Sequence, residues 1–178
     1  MTVERAVDVQ RIRSDAAIAA FVAEHYDRLL RMARLICRDT SDAADAVQIG
    51  LEQAWRRRSA LRDDARIRPW LDRIVTREAV RISKSRQSWL SRLFTPRPGV
   101  TWIEPPDRHA SEPPTFVALR AAFERLSPDH RAVVALHMHF GYSVAETALM
   151  VGAPEETVRS RLRVAKQQLR HELEESRP

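Results

Sequence analysis

The sequence predicts an all-α chain: two small helical domains joined by a proline-rich linker, the second a helix-turn-helix domain. Three observations carry this expectation. Apolar residues recur at spacings of three and four through long stretches, the pattern of an amphipathic helix. No stretch shows a convincing alternation with the period of two that a half-buried strand requires. Six of the ten prolines (Pro96, Pro98, Pro105, Pro106, Pro113 and Pro114) lie between residues 96 and 114. Proline has no N–H to donate and restricts the residue before it, so no regular helix is expected there.

The expected order is a segment 1–20 leading into the first helix, a helical domain 21–86, a linker 87–114 and a second domain 115–178. The first helix is predicted from about Asp15 to Cys37, with Ile18, Phe21, Val22, Tyr26, Leu29, Ala33 and Ile36 as one apolar stripe. Thr40, Ser41 and Asp42 supply a stop and a new N-cap. The second helix is expected to bury Ala44, Val47, Leu51, Ala54 and Trp55. Residues 59–67 read as a loop. Pro69 fits the first turn of a third helix with Leu71, Ile74, Val75 and Ile82 inward. Beyond the linker, Phe116, Leu119, Phe123 and Leu126 repeat at helical spacing, and Ser127-Pro128 restarts the chain as N-cap and first helical residue. That helix should stop at Gly141. Ser143 and Glu146 form a capping box, Gly152 ends the short helix they open, and Pro154 starts a final helix to about Glu174. The chain stops soon after, at Pro178, and no added sensor domain is expected.

Composition removes several classes. The longest apolar run, Ala16–Ala23, is eight residues, well short of the roughly 18 that span a bilayer. The first 20 residues carry three acids and three arginines and do not read as a signal peptide. One cysteine, Cys37, excludes an internal disulfide and any multi-cysteine zinc site. Four glycines cannot build a phosphate-cradling loop. His137 and His139, two residues apart on a helix, point to different sides and make a poor metal pair. Asp63-Asp64 among arginines reads as solvated charge, and Ser127 serves as a cap rather than a nucleophile. The chain is expected to be a cytoplasmic binding protein and not an enzyme, with no cofactor, no metal and no membrane partner. The net charge of +6, with 28 of the 30 bases arginine, points to an anionic partner.

The strongest motif is 143–163. Two short helices that cross closely need a small residue at the contact (Ala148), a residue tolerant of positive φ in the turn (Gly152) and a branched apolar residue packing back (Val158). The opposite face of the last helix carries Glu156, Arg159, Ser160, Arg163 and Gln167, types that reach base edges. Thr157, Arg161 and Lys166 are better placed for phosphates. A second basic concentration, Trp55–Ser85, holds ten bases against four acids, a surplus equal to the whole net charge. Arginine interleaved with Trp55 and Trp70 suits a single strand whose bases stack. It is equally the composition of a solvated helix face over two core tryptophans.

Asp45-Ala-Val-Gln48, then Trp55, then Trp70-Leu-Asp-Arg-Ile74 resembles the promoter-melting domain of bacterial sigma factors. Leu126-Ser-Pro-Asp-His-Arg131, Ser143-Val-Ala-Glu146-Thr-Ala148, Gly152 and Thr157-Val-Arg-Ser-Arg-Leu162 resemble their upstream-element domain. Two such domains with a short linker resemble the extracytoplasmic-function group. The resemblance implies an alternative sigma factor with core RNA polymerase and promoter DNA, duplex and melted, as partners, and an anti-sigma factor as a further candidate partner. It implies polymerase docking through Asp45, Gln48, Ile49 and Glu52 on the second helix. It implies minus-ten recognition by the loop Arg62, Asp63 and Asp64, with Trp70, Arg73 and Arg77 near the melted strand. The last helix would read the minus-35 element in the major groove. Leu61 and Ile67 stand where the family often has an aromatic residue, and Arg77 where it often has Asn. The linker's Trp89, Leu90, Leu93, Phe94, Trp102 and Ile103 suggest threading through polymerase channels. The alternative reading is a helix-turn-helix regulator that never joins polymerase.

Overall fold

The computed structural model describes residues 2–61, 63–93 and 114–175. Those residues form seven α-helices and no strands: α1 (Thr2–Cys37), α2 (Thr40–Arg56), α3 (Ile67–Leu93), α4 (Pro114–Arg125), α5 (Pro128–Val134), α6 (Val144–Val151) and α7 (Glu155–Glu175). Two 3₁₀ turns, Arg58–Ala60 and Asp64–Arg66, link α2 to α3, and a π-helical turn, Ala135–His139, extends α5.

Local chemistry sets the boundaries. α1 begins well before the expected Asp15 and ends where Arg38 turns left-handed at φ 71°. The N-cap of α2 is Asp39, not one of the three residues after it: its carboxylate accepts from the N–H groups of Ser41 (2.8 Å) and Asp42 (3.0 Å). Ser127 caps α5, accepting from the His130 N–H at 3.3 Å, with Pro128 at the first helical position. Gly141, at φ 76°, follows the π turn. The capping box is complete, with Ser143 Oγ accepting from the Glu146 N–H and Glu146 accepting from the Ser143 N–H at 2.8 Å. The Ser143 hydroxyl and then its backbone N–H hold the exposed Glu146 carboxyl below its ordinary pKa. Gly152 closes α6 at φ 70° and donates to Ala148 O.

α1, α2 and α3 pack together as the first half. α2 turns inward Ala43, Ala46, Val47, Gly50 and Ala54. Ala44 and Trp55, expected on that face, point outward; Trp55 is 47% exposed, and the Arg58 guanidinium lies 4.8 Å from its ring centre. The reason is steric: α2 crosses α3 so closely that a Cβ on Gly50 would lie 3.0 Å from Val75 Cγ2, so the small-residue face wins the interface. Tyr26, expected on the α1 stripe, is also largely exposed. α3 runs to Leu93, so the first seven residues of the expected linker, 87–93, are helical, and Trp89 on that extension is exposed. Phe94, Trp102 and Ile103 lie outside the described residues.

α4 to α7 form the C-terminal half around Leu126, Val133, Val134, Ala148, Val158, Leu162 and Ala165. The expected Ala148–Gly152–Val158 geometry is present: Ala148 and Val158 are both buried and Gly152 is left-handed between them. The two halves also pack on one another. Ala132, Leu136 and Met150 share a buried cluster with Leu29, Met32, Ile36, Val75 and Ala79. Cys37 joins this cluster and donates to Ala79 O at 3.4 Å; burial, then nearby Asp42, pushes its thiol up to about 12.

Candidate nucleic-acid and polymerase interface

α7 presents Glu156, Arg159, Ser160, Arg163, Lys166 and Gln167 to solvent, while Val158, Leu162 and Ala165 face inward. The 3.6-residue period produces this split directly. Arg159 is held by the first turn of its own helix, at 2.7 Å from Glu155 and 3.6 Å from Glu156. Arg161 is turned sideways: its guanidinium lies 3.4 Å from Asp129, which Lys84 of α3 also meets at 2.7 Å. Thr157 is half-buried. Among the described residues, Arg163 and Lys166 of this face are exposed and no acidic group lies within 4.0 Å of their charges.

The minus-ten candidates lie around the start of α3. Arg62 and the Asp64 side chain are outside the described residues. Asp63 is exposed and caps the turn, accepting from the Ala65 N–H at 3.0 Å, with Arg66 3.7 Å away. Trp70 is half-buried against the cluster of Ile18, Leu61, Ile67 and Leu71. A cleft of about 530 Å³ separates this loop from α6, with Asp63, Arg66, Trp70 and Arg73 on one side and Glu146, Leu149 and Met150 on the other. Arg77 is committed elsewhere: its Nε donates to Met150 O and its Nη2 to Leu149 O, both at 3.0 Å. Those carbonyls end α6, where the helix dipole favours a cation.

On α2, Asp45, Gln48 and Glu52 are exposed and Ile49 is half-buried, one stripe on the face away from α1 and α3. Gln48 donates to Glu52 at 3.4 Å, and Arg56 lies 4.0 Å from Glu52.

Four side chains that join the halves, Asp72, Arg28, Tyr142 and Arg131, are given no role in the sequence reading. Asp72 is fully buried and accepts from both terminal guanidinium nitrogens of Arg28, Nη1 and Nη2, at 2.7 Å, together with the Tyr142 hydroxyl. Burial opposes the Arg28 charge, but Asp72 outweighs it and raises the pKa; burial, then Asp72, raises that of Tyr142. Arg131, only 3% exposed, donates to Ile36 O (2.8 Å), Ser83 Oγ (2.8 Å) and Leu126 O (2.6 Å). Burial, then Arg38, lowers it to about 10, so it stays charged at neutral pH. A signal for Asp72 exists in the sequence: it sits beside Leu71 and three residues before Val75, on the inward register of α3, where a carboxylate must be paired. Arg131 leaves little such signal, because Ile36 O and Leu126 O are backbone carbonyls and Ser83 Oγ adds to them a small hydroxyl of a common kind.

The fold and these surfaces define a helical protein with a helix-turn-helix half and a basic, tryptophan-bearing half. Residues 21–89 match the family model for sigma-70 region 2, and residues 116–169 match that for sigma-70 region 4. ECF RNA polymerase sigma factor SigM of Mycobacterium tuberculosis is 34% identical over 171 residues, covering 88% of this chain and 83% of SigM. SigL of the same organism is 32% identical over 162 residues, covering 90% of each. The RNA polymerase sigma-E factor of Streptomyces coelicolor is 30% identical over 154 residues, covering 86% of this chain and 84% of its own. The chain belongs to the ECF RNA polymerase sigma factors of the sigma-70 family. Two solved structures share the fold at 22% identity. RpoE of Bartonella quintana, in complex with the anti-sigma factor NepR, has a TM-score of 0.64 over 89% of this chain and 98% of its own. CnrH, in complex with the cytosolic domain of CnrY, has a TM-score of 0.60 over 93% of this chain and 97% of its own. Among the described residues, no helix is long and apolar enough to cross a membrane.

Proposed function

We propose that the protein is an alternative sigma factor that joins core RNA polymerase in the cytoplasm and acts by binding, not catalysis. The outward stripe Asp45, Gln48, Ile49 and Glu52 of α2 docks on polymerase. α7 enters the major groove of the minus-35 element, with Arg159, Ser160, Arg163 and Glu156 at base edges and Thr157, Arg161 and Lys166 towards phosphates. The turn 62–64 and the basic face of α3 hold the melted minus-ten strand: the turn receives an extruded base, while Trp70, Arg73 and Arg77 serve stacking and phosphate neutralisation. Extrusion costs a few kcal/mol, about what a stacked and hydrogen-bonded pocket returns. Two structural neighbours are solved with protein partners, and an anti-sigma protein is accordingly a second partner class for this chain.

The observation that carries the reading is the pairing, in one chain, of an Ala148–Gly152–Val158 helix-turn-helix whose outer face is basic and exposed with a free polar stripe on α2. The test is reconstitution with core polymerase followed by run-off sequencing on a promoter library. Transcripts that start downstream of one shared two-part element are expected. A chain that binds duplex DNA but neither co-purifies with core polymerase nor directs any start is instead a separate regulator.

A further inference from the structure

Arg159 stands on a turn of α7 that the helix-turn-helix holds firmly. Val158 beside it and Leu162 one turn on are buried, and the Val158 N–H closes the first turn on Pro154 O at 3.1 Å. The backbone under Arg159 is therefore set, and what remains free is its long side chain. Glu155 takes up that freedom. Arg159 Nη2 donates to Glu155 Oε2 at 2.7 Å, four residues back along α7. A glutamate N-terminal to its cation at this spacing is the favourable orientation of a helical ion pair. Glu156 is nearer in sequence, but it lies 3.6 Å from Nη1, beyond a hydrogen bond, and is largely exposed.

The pair draws the guanidinium towards the N-terminal end of α7, the end of a recognition helix whose residues meet base edges. A guanidinium carries five N–H donors. The bond to Glu155 uses one of them, and the two needed for the O6 and N7 of a guanine remain. Among the described residues, no other arginine expected on this face is held in this way. Arg163 has Arg159 and Ser160 four and three positions before it, and Arg161 turns to Asp129 at 3.4 Å. In water an exposed pair of this kind contributes little. As α7 enters a groove the water is displaced, and an arginine already held in one orientation loses less side-chain entropy on binding.

We propose that Glu155 is a positioning residue for base recognition: it holds Arg159 against the first turn of α7 and so sets the preference at the base pair Arg159 reads. The inference rests on the reading of α7 as the minus-35 helix. Glu155 itself need touch no base. Its carboxylate opposes the phosphates of any duplex, so it sharpens selection without adding affinity.

The test uses reconstituted holoenzyme and a duplex library randomised over the upstream element, with the rest of a promoter found by run-off sequencing held fixed. Arg159→Ala identifies the base pair that Arg159 reads, as the position whose preference collapses. Glu155→Ala should weaken the preference at that same position by about two- to fivefold, the range that an exposed ion pair spans, and leave the other positions unchanged. Glu155→Gln, whose amide oxygen still accepts from Nη2, should keep most of it. In an Arg159→Ala background, Glu155→Ala should change base preference no further. Affinity for a scrambled duplex should hold or rise, since a carboxylate near phosphates is removed. A preference unaltered by Glu155→Ala overturns the proposal, as does a loss that persists in the Arg159→Ala background or spreads over every position. An equal fall on cognate and scrambled duplexes also overturns it, because the glutamate then serves the stability of the helix. If Arg159→Ala leaves every preference intact, Arg159 reads no base and the proposal fails. Unsubstituted holoenzyme without any upstream preference overturns the reading of α7, and the proposal with it.

Discussion

A guanidinium that is 3% exposed must place its N–H donors on protein acceptors or lose the hydration of its charge. Arg131 does so with Ile36 O, Leu126 O and Ser83 Oγ. Arg131→Met keeps the volume but strands these acceptors, at about 1–3 kcal/mol for a buried unsatisfied group. A lower urea midpoint with an unchanged m-value is expected; an unchanged midpoint would show that water replaces the guanidinium. His130 supplies a pH response. Its Nδ1 is buried without a partner, and burial, then Arg161, lowers its pKa below 6.5 against a smaller opposing effect of Asp129. A depressed histidine pKa means the unfolded chain binds the proton more readily. Stability from this site is therefore present above pH 6.5 and lost as pH falls through the lower folded-state value. His130→Gln should flatten that part of the urea-midpoint profile, and an unaltered profile would assign the loss to other groups.

At the scale of elements, α2 and α3 meet through a missing side chain. A Cβ on Gly50 would fall 3.0 Å from Val75 Cγ2 and 3.3 Å from Val75 Cα, and the second of these is backbone. Overpacking costs about 1–3 kcal/mol, against about 1 kcal/mol that alanine gains over glycine in a helix. Gly50→Ala should therefore lower stability by about 1 kcal/mol, read by thermal or urea unfolding. A stabilised variant would mean that α2 can slide away from α3. In α7 the structure separates two arginines that look equivalent in sequence: Arg159 is paired with Glu155 at 2.7 Å, whereas Arg163 stands exposed further along the face proposed to read DNA. Arg163→Ala should cost about 1–3 kcal/mol of upstream-element binding and relax the preference at one base. Measured on cognate and scrambled duplexes, an equal loss on both would reassign Arg163 to phosphate.

For the whole molecule, the α2 stripe proposed for docking and the α7 face proposed for promoter reading are different surfaces and should separate genetically. Asp45→Ala with Gln48→Ala alters only exposed positions of α2. It should weaken core-polymerase affinity by at least about 1 kcal/mol, with upstream duplex binding and helix content unchanged. Normal polymerase affinity would move the docking surface off α2.

What the sequence by itself determined is most of what local chemistry controls. Ser127-Pro128, the Ser143–Glu146 box and the left-handed Gly152 each act within a few residues, and each stands in the structure where its pattern places it. The exposed face of α7, proposed to read DNA, follows from the helical period. Only the tertiary structure decided how the elements meet. Trp55 and Ala44 turn outward because a smaller face of α2 fits α3 more closely. Arg77 lies on α6, and Asp72 and Arg131 clasp the halves. These contacts join residues 70 or more positions apart in the cases of Asp72–Tyr142 and Arg77–Met150. Arg77 ends on backbone carbonyls and Arg131 on two of them besides Ser83 Oγ; every residue type carries such a carbonyl, so no residue pattern in the chain announces those contacts.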